Sequence, residues 1–236
     1  CGVGTQALHT GRKLGTGVAV GLVRDDGARC FLTVRGENEA LCARDLDNIP
    51  LDAYAVVLIN GFFQLPGLEA GLPGFLRYAK EKGCVTGFDM ASWDPSGRWL
   101  EAVRPSLPFI DFFFTNAAQL EQLTGKTAHA DGARHLMAQG AGQVVVKLGA
   151  DGCALHRPGV PPLRTEGFPV DAVDTTGAGD SFDAAYLLGV AQGWDADACG
   201  VLANVVAGQN CTALGATAGV PDRAWAIAQM HRILGR

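Results

Sequence analysis

The sequence predicts an α/β domain: a parallel sheet with helices on both faces and a small β appendage at one end. Three observations predict it. Short runs such as YAVVLI (54–59), FIDFFF (109–114) and QVVVKL (143–148) are apolar at nearly every position, as strands buried on both faces are. Helical patterns separate these runs, and such alternation builds parallel pairs through crossover connections. No repeat, low-complexity tract or long linker interrupts the alternation, so residues 1–236 are taken as one domain.

The elements follow in order. GVAVGLV (17–23) and CFLTV (30–34) are short β-rich runs joined by RDDGAR, whose Asp26-Gly27 pair signals a hairpin turn. They form the appendage, at about 15–36. After YAVVLI, the stretch LPGFLRYAKEKG (72–83) reads as a helix closed by Gly83. CVTGFD (84–89) is a strand, GRWLEAVRPSL is helical, and FIDFFF is the next strand. AAQLEQLTG (117–125) is a short helix, and HADGARHLMAQG (129–140) is a longer one ending at Gly140. QVVVKL precedes an irregular β-rich piece (152–170), and helices near 180–192, 196–212 and 222–234 complete the chain.

Composition narrows the function. Lys and Arg number 19 against 24 Asp and Glu, a net charge of −5 with no cluster of either sign. That balance points away from nucleic acid and anionic membranes. No apolar run reaches the length of a membrane span. The seven cysteines are scattered, form no C-x-x-C pair and accompany no H-E-x-x-H motif. They read as small buried hydrophobes in a reducing, cytoplasmic setting rather than as disulfides or a zinc site.

The stretch DTTGAGDSF (174–182) carries the chemistry. A glycine-rich turn entering a helix offers unpaired backbone N–H groups and the positive end of the helix dipole, a site for phosphate. A carboxylate follows at once, Asp180. Beside phosphate it is repulsive unless it has another task, and accepting the proton of an attacking hydroxyl is such a task. Taken alone, GAGD would equally fit a tight loop and a helix cap.

The full run resembles the signature of the PfkB carbohydrate kinases, the ribokinase-like sugar kinases, and the likeness extends along the chain. TGVAVGLVRDDGARCFLTVRGEN is similar to that family's lid strands, and GFDMASWDPSGRW to the segment after its third central strand. TNAAQLEQLTG resembles its N-x-x-E…L-T-G element, VVVKLGADGCAL its nucleotide-site element, and ANVVAGQNCTALGATAGVP its C-terminal adenine and cation loop.

The resemblance implies a doubly wound sheet with a small β lid, and transfer of the γ-phosphoryl group of ATP to a sugar or nucleoside. By it, Asp180 is the catalytic base, and Gly177, Ala178 and Gly179 form the anion hole. Asn116, Lys147, Gly149, Gly152 and Asn204 fall where the family contacts ATP or its Mg²⁺-bound phosphates. Asp174, Thr176, Asn210, Ala213, Gly215 and Gly219 fall on the loops that hold K⁺. A homodimer through the lid is a further implication. Each residue also has a plainer reading: Asn116 as a helix cap, Lys147 as a strand-end residue reaching water, Gly149 and Gly152 as turn residues. Asn204 would then be a surface polar residue, and Asp174 a loop acid.

Three lookalikes are set aside. LTGKT (123–127) ends like a Walker A loop but lacks its earlier glycine, the position being Leu120. GVGTQA (2–7) has no preceding strand, which also makes a nicotinamide oxidoreductase a poor reading. Of two nearby acids, Asp89 at a strand end is a candidate on the substrate side, and Asp94 before Pro95 is a turn residue.

Two departures from the family pattern stand out. Gln119 replaces its glutamate, which motivates a non-catalytic nucleotide-binding relative as the alternative. The family's opening strand, with an acceptor-binding aspartate and a Gly-Gly motif, has no counterpart, and the chain opens on Cys1. The expectation is a member lacking its N-terminal portion, aggregation-prone and without sugar kinase activity as written.

Overall fold

The structure, a computed structural model, describes residues 4, 5, 8, 14–24, 29–90 and 97–236. Strands β1 (Val18–Val23) and β2 (Arg29–Val34) pair antiparallel, in register from Val18↔Val34 to Val23↔Arg29. The Asp26-Gly27 turn between them lies outside the described residues. Short 3₁₀ turns fill much of 36–53.

A six-stranded sheet follows, in the order of the chain. Its strands are β3 (Val56–Asn60), β4 (Val85–Asp89), β5 (Phe112–Asn116), β6 (Gln143–Lys147), β7 (Cys153–Arg157) and β8 (Val160–Thr165). β3 to β6 are parallel, as expected from their apolar runs. β7 and β8, which make up most of the irregular β-rich piece, run antiparallel. Their links, a single turn at Gly149–Asp151 and the Pro158-Gly159 pair, are far too short for a crossover.

Helices α1 (Leu72–Glu81), α2 (Trp99–Val103), α3 (Ala117–Thr124) and α4 (His129–Ala138) connect the parallel strands. α5 (Ala178–Ala191), α6 (Ala196–Asn210) and α7 (Arg223–Leu234) follow β8. Residues 104–109 are 3₁₀ rather than α, because Pro105 and Pro108 remove helical donors. Strand alternation then sorts the core. Ile59, Phe88, Phe113, Val144 and Val146 pack with Leu72, Leu76, Leu120 and Leu136. Phe112, Phe114, Val145 and Leu155 point the other way, to Tyr186, Leu187 and Leu202. The sheet is thus covered on both faces.

Helix ends follow ordinary rules. Asp195 and Asp222 cap α6 and α7, accepting from Ala198 and Trp225 N–H, each worth about 1 kcal/mol. Gly125 closes α3 at φ +68°, so the LTGKT lookalike is a helix stop. Among the described residues no helix is long and apolar enough to cross a membrane. The cysteine reading needs one correction: Cys84, Cys153, Cys199 and Cys211 are buried, but Cys30 on the hairpin is exposed.

A histidine pair joins α4 to β7, with His129 Nδ1 and buried His156 Nε2 3.2 Å apart. Burial first, then nearby His129 and Arg134, lower His156 from 6.5 to about 4. The unfolded chain takes up this proton near pH 6.5 and the folded chain only near 4. Stability therefore falls as pH drops through that window and levels off beneath it. Urea titrations across the window are expected to show the decline, and His156→Gln to flatten it. An unaltered slope in the variant would refute the assignment.

Candidate active site

Each of the four parallel strands ends on a polar residue: Asn60, Asp89, Asn116 and Lys147. Register aligns these ends in two pairs, Asn60 opposite Asp89 and Asn116 opposite Lys147, with β5 running two residues past Asp89, which lies opposite Phe114. The carboxyl edge of a parallel sheet is where α/β proteins place their ligands. Facing this edge is the start of α5.

Gly177 is the N-cap of α5, at φ +76° and without a capping side chain. A Cβ there would stand 2.1 Å from the Ala216 carbonyl oxygen, so glycine is required twice over. The first-turn N–H groups of such a helix have no intrahelical acceptors; that of Ala178 donates to the Thr175 carbonyl oxygen at 3.3 Å. Asp180 lies inside this turn and does not cap it. Its Oδ1 accepts from Asn60 Nδ2 at 2.6 Å, a charge-assisted bond of about 1.5–3 kcal/mol.

Beneath the same turn lies a buried charge cluster. Lys147 Nζ donates to Asp89 Oδ2 at 2.5 Å and to both oxygens of Asp183 at 3.0 and 3.2 Å. Asp89 and Asp183 are buried. Burial alone would lower the Lys147 ammonium, but the two carboxylates more than reverse this and raise it. Burial pushes the Asp183 carboxyl well above the usual range, opposed by Lys147 and reinforced by Asp89. One sequence reading changes here: Lys147 does not reach out to water. Asp89, the substrate-side candidate, is buried and pairs with Lys147 through Oδ2. Asp94 lies outside the described residues.

The nucleotide-side residues divide. Asn116 caps α3: its Oδ1 accepts from Gln119 N–H at 2.8 Å, while Gln119 Oε1 accepts from Asn116 N–H at 2.9 Å. The plainer reading of Asn116 is thus realised, with its amide Nδ2 left for a ligand. Gln119, the departure from the family's acid, is built into the same box. Asn204 is buried, not a surface residue, and donates to the carbonyls of Thr165 and Glu166 at 3.3 and 2.9 Å. Gly152 reaches the same place, since a Cβ on it would meet Thr165 O at 2.1 Å. Gly149, at φ +63°, faces open space. Asn204 and Gly152 therefore shape the walls, whereas Gly149 leaves room for close approach.

The loops proposed for a cation close around Gly177. Asp174 Oδ1 accepts from the Thr176 N–H and hydroxyl, and its Oδ2 from Gly215 N–H at 3.0 Å. Asn210 Nδ2 donates to Ala216 O at 2.8 Å, the same carbonyl that Gly177 abuts. Fully buried Asn210 Oδ1 has no hydrogen-bond partner. Gly219 packs on the Asn210 carbonyl, where a Cβ would stand 2.5 Å away. Ala213 lies in the connecting turn. Among the described residues no group of three or more His, Cys, Asp or Glu gathers to hold a metal. An orphaned amide oxygen amid carbonyls suits an alkali cation.

A cavity of about 440 Å³ borders Gly177 and Asp180 and runs between α5, α6 and α7 along Leu188, Val206 and Ile227. Sequence reasoning missed Asn60 and Asp183. The available signals were a polar residue closing an apolar strand, and an acid within the apolar FDAAYLLGVA run.

The fold and this edge define a class, the ribokinase-like phosphotransferases. The chain matches the family model described as pfkB family carbohydrate kinase over residues 1–223. It is 29% identical to an uncharacterized sugar kinase of Archaeoglobus fulgidus, over 87% of this chain and 80% of that protein. It is 31% identical to ribokinase of Mus musculus, over 79% of this chain but 57% of that protein. The chain thus spans under three fifths of the mouse enzyme's length. The solved structure of Arabidopsis thaliana ribokinase complexed with ribose and ATP superposes with a TM-score of 0.77. It is 27% identical and covers 92% of this chain and 70% of that one. The chain belongs to the pfkB family of carbohydrate kinases, ATP-dependent sugar kinases that work with Mg²⁺.

Gly177→Ala tests the geometry of the turn. Left-handed strain alone costs about 1–2 kcal/mol, and the clash with Ala216 adds to it. Thermal melting should show a clear loss of stability, whereas an unchanged melting temperature would mean that the turn relaxes freely.

Proposed function

We propose that the protein transfers the γ-phosphoryl group of ATP to a hydroxyl of a sugar or sugar-like acceptor, a nucleoside being the nearest variant. The observation that carries this is Asp180 held by Asn60 in the open, glycine-capped first turn of α5. Asp180 takes the acceptor proton as the hydroxyl oxygen attacks in line. The new O–P bond forms as the bond to the β-phosphate oxygen breaks, and ADP leaves with that electron pair. The N–H groups at Gly177, Ala178 and Gly179 take up the charge that develops on the transferring group. Mg²⁺, when bound, neutralises phosphate charge. Asn116 and Lys147 face the phosphates from the strand ends, while Gly149, Gly152 and Asn204 form the nucleotide wall. Gln119 motivates a non-catalytic relative, yet its role in the capping box of α3 is compatible with an intact base.

K⁺ belongs to the same reading, with Asp174, Thr176, Asn210, Ala213, Gly215 and Gly219 supplying the loops. The shared Ala216 carbonyl links these loops to the anion hole, so the cation is expected to act on kcat more than on acceptor affinity.

In the full-length gene product, assayed with ATP and a panel of sugars and nucleosides, Asp180→Asn should keep ATP binding while kcat falls roughly 10²–10⁴-fold. Activity near native would sink the mechanism. Replacing K⁺ by Na⁺ or a bulky organic cation should slow turnover, and equal rates would remove the cation from the reading.

The hairpin serves as a lid and pairs two copies. Val18, Val20 and Leu22 stand opposite Val34, Leu32 and Cys30, so all six share one face. The five aliphatic residues are 51–70% exposed. Two such faces would cover one another. Leu32→Lys should shift a dimer to monomer in sedimentation, and a native protein that is already monomeric at all concentrations would exclude this pairing.

A further inference from the structure

The buried cluster under α5 contains a residue with no role in the reading above. We infer that Asp183 is a positioning residue: by gripping Lys147 from within α5, it fixes an ammonium beside the anion-binding turn and ties that turn to the ends of β4 and β6. This inference rests on the proposed kinase reading, in which a phosphoryl group sits at the start of α5.

The geometry supports it from three sides. Asp183 follows Asp180 by three residues, nearly one helical turn, and is fully buried. Lys147 Nζ meets both of its oxygens and also Asp89 Oδ2, so one ammonium spans the helix and two strands. A Cβ on Gly179 would stand 3.4 Å from that ammonium, an ordinary contact distance, which places the charge against the first-turn backbone.

The composition of the surroundings makes the cluster more than packing. Phe182, Ala185, Tyr186 and Leu187 on the same helix are buried and apolar. Apolar side chains in place of the cluster would satisfy the core without removing three charged groups from water, which is the costly alternative. A fixed cation at this place adds to the positive potential of the helix start, where a transferring phosphoryl group gathers negative charge. Asp183 sets its position, and Asp89 holds it from below.

The test uses a ligand that fills the anion hole without an acceptor. Binding of ADP with Mg²⁺ is measured by calorimetry with and without aluminium fluoride, a mimic of the phosphoryl group in flight. Native protein should bind the fluoride-containing complex at least ~100-fold more tightly than ADP alone. Asp183→Leu should reduce that gain by about tenfold or more while leaving ADP affinity unchanged. Asp183→Asn, which keeps shape and an acceptor for Lys147, should restore most of it. A triple variant (Lys147→Met, Asp89→Asn, Asp183→Asn) removes every charge at once, so its core holds no uncompensated ion. It should melt cooperatively, yet lack the gain. A triple variant that keeps the full gain overturns this inference alone. A native protein that gains nothing from aluminium fluoride overturns the kinase reading and the inference together.

Discussion

Parallel pairing in continuous register is the constraint on which the site depends. Because β3 to β6 run the same way and end within two residues of one another, four separate chain segments deliver polar side chains to one edge. The strand interiors are mostly apolar, since both faces are buried, and the polar exceptions are small threonines, Thr86 and Thr115. Amide and charged side chains gather where the strands leave the sheet. Function collects at the edge because it is the first place where the core permits it.

What faces that edge is mostly main chain. The start of α5 offers N–H groups that its own helix cannot satisfy, and a left-handed glycine keeps the approach open. Side chains then refine the field. Asn60 orients the acid, Asn210 steadies the Ala216 carbonyl against which the turn leans, and Lys147 lies underneath. Among the described residues the buried amide oxygens of Asn210 and Asn60 remain unsatisfied, and that of Asn210 lies amid the loop carbonyls, where a bound cation accords with it.

Much of this was legible in the sequence, for identifiable reasons. Apolar runs and glycine stops located nearly every strand and helix to within a few residues, and DTTGAGDSF marked the glycine-capped start of α5. The direction of β7 and β8 was not legible, because their mixed residue pattern marks no direction and only the short links decide it. Asn60 escaped because its partner lies 120 residues away. Asp183 escaped because an acid in an apolar helix has no meaning until Lys147 is found beneath it. Asn116 and Asn204 were found as residues, but their contacts are architectural: one starts a helix and the other stitches α6 to the end of β8.

Several glycines near the site touch backbone and no side chain. Gly152 lies against Thr165, Gly167 against Ala150, and Gly219 against Asn210, with room for hydrogen but not for carbon. In an exhaustive substitution survey these positions would reject all nineteen replacements, and so mimic ligand-contacting residues. Their intolerance would record how closely two stretches of main chain must pass, not what either one binds. Asn116, which has a donor to offer a ligand, would tolerate other capping residues and look dispensable to folding. In this protein, intolerance to change and contact with substrate are separate properties, and a map of the first would misplace the second.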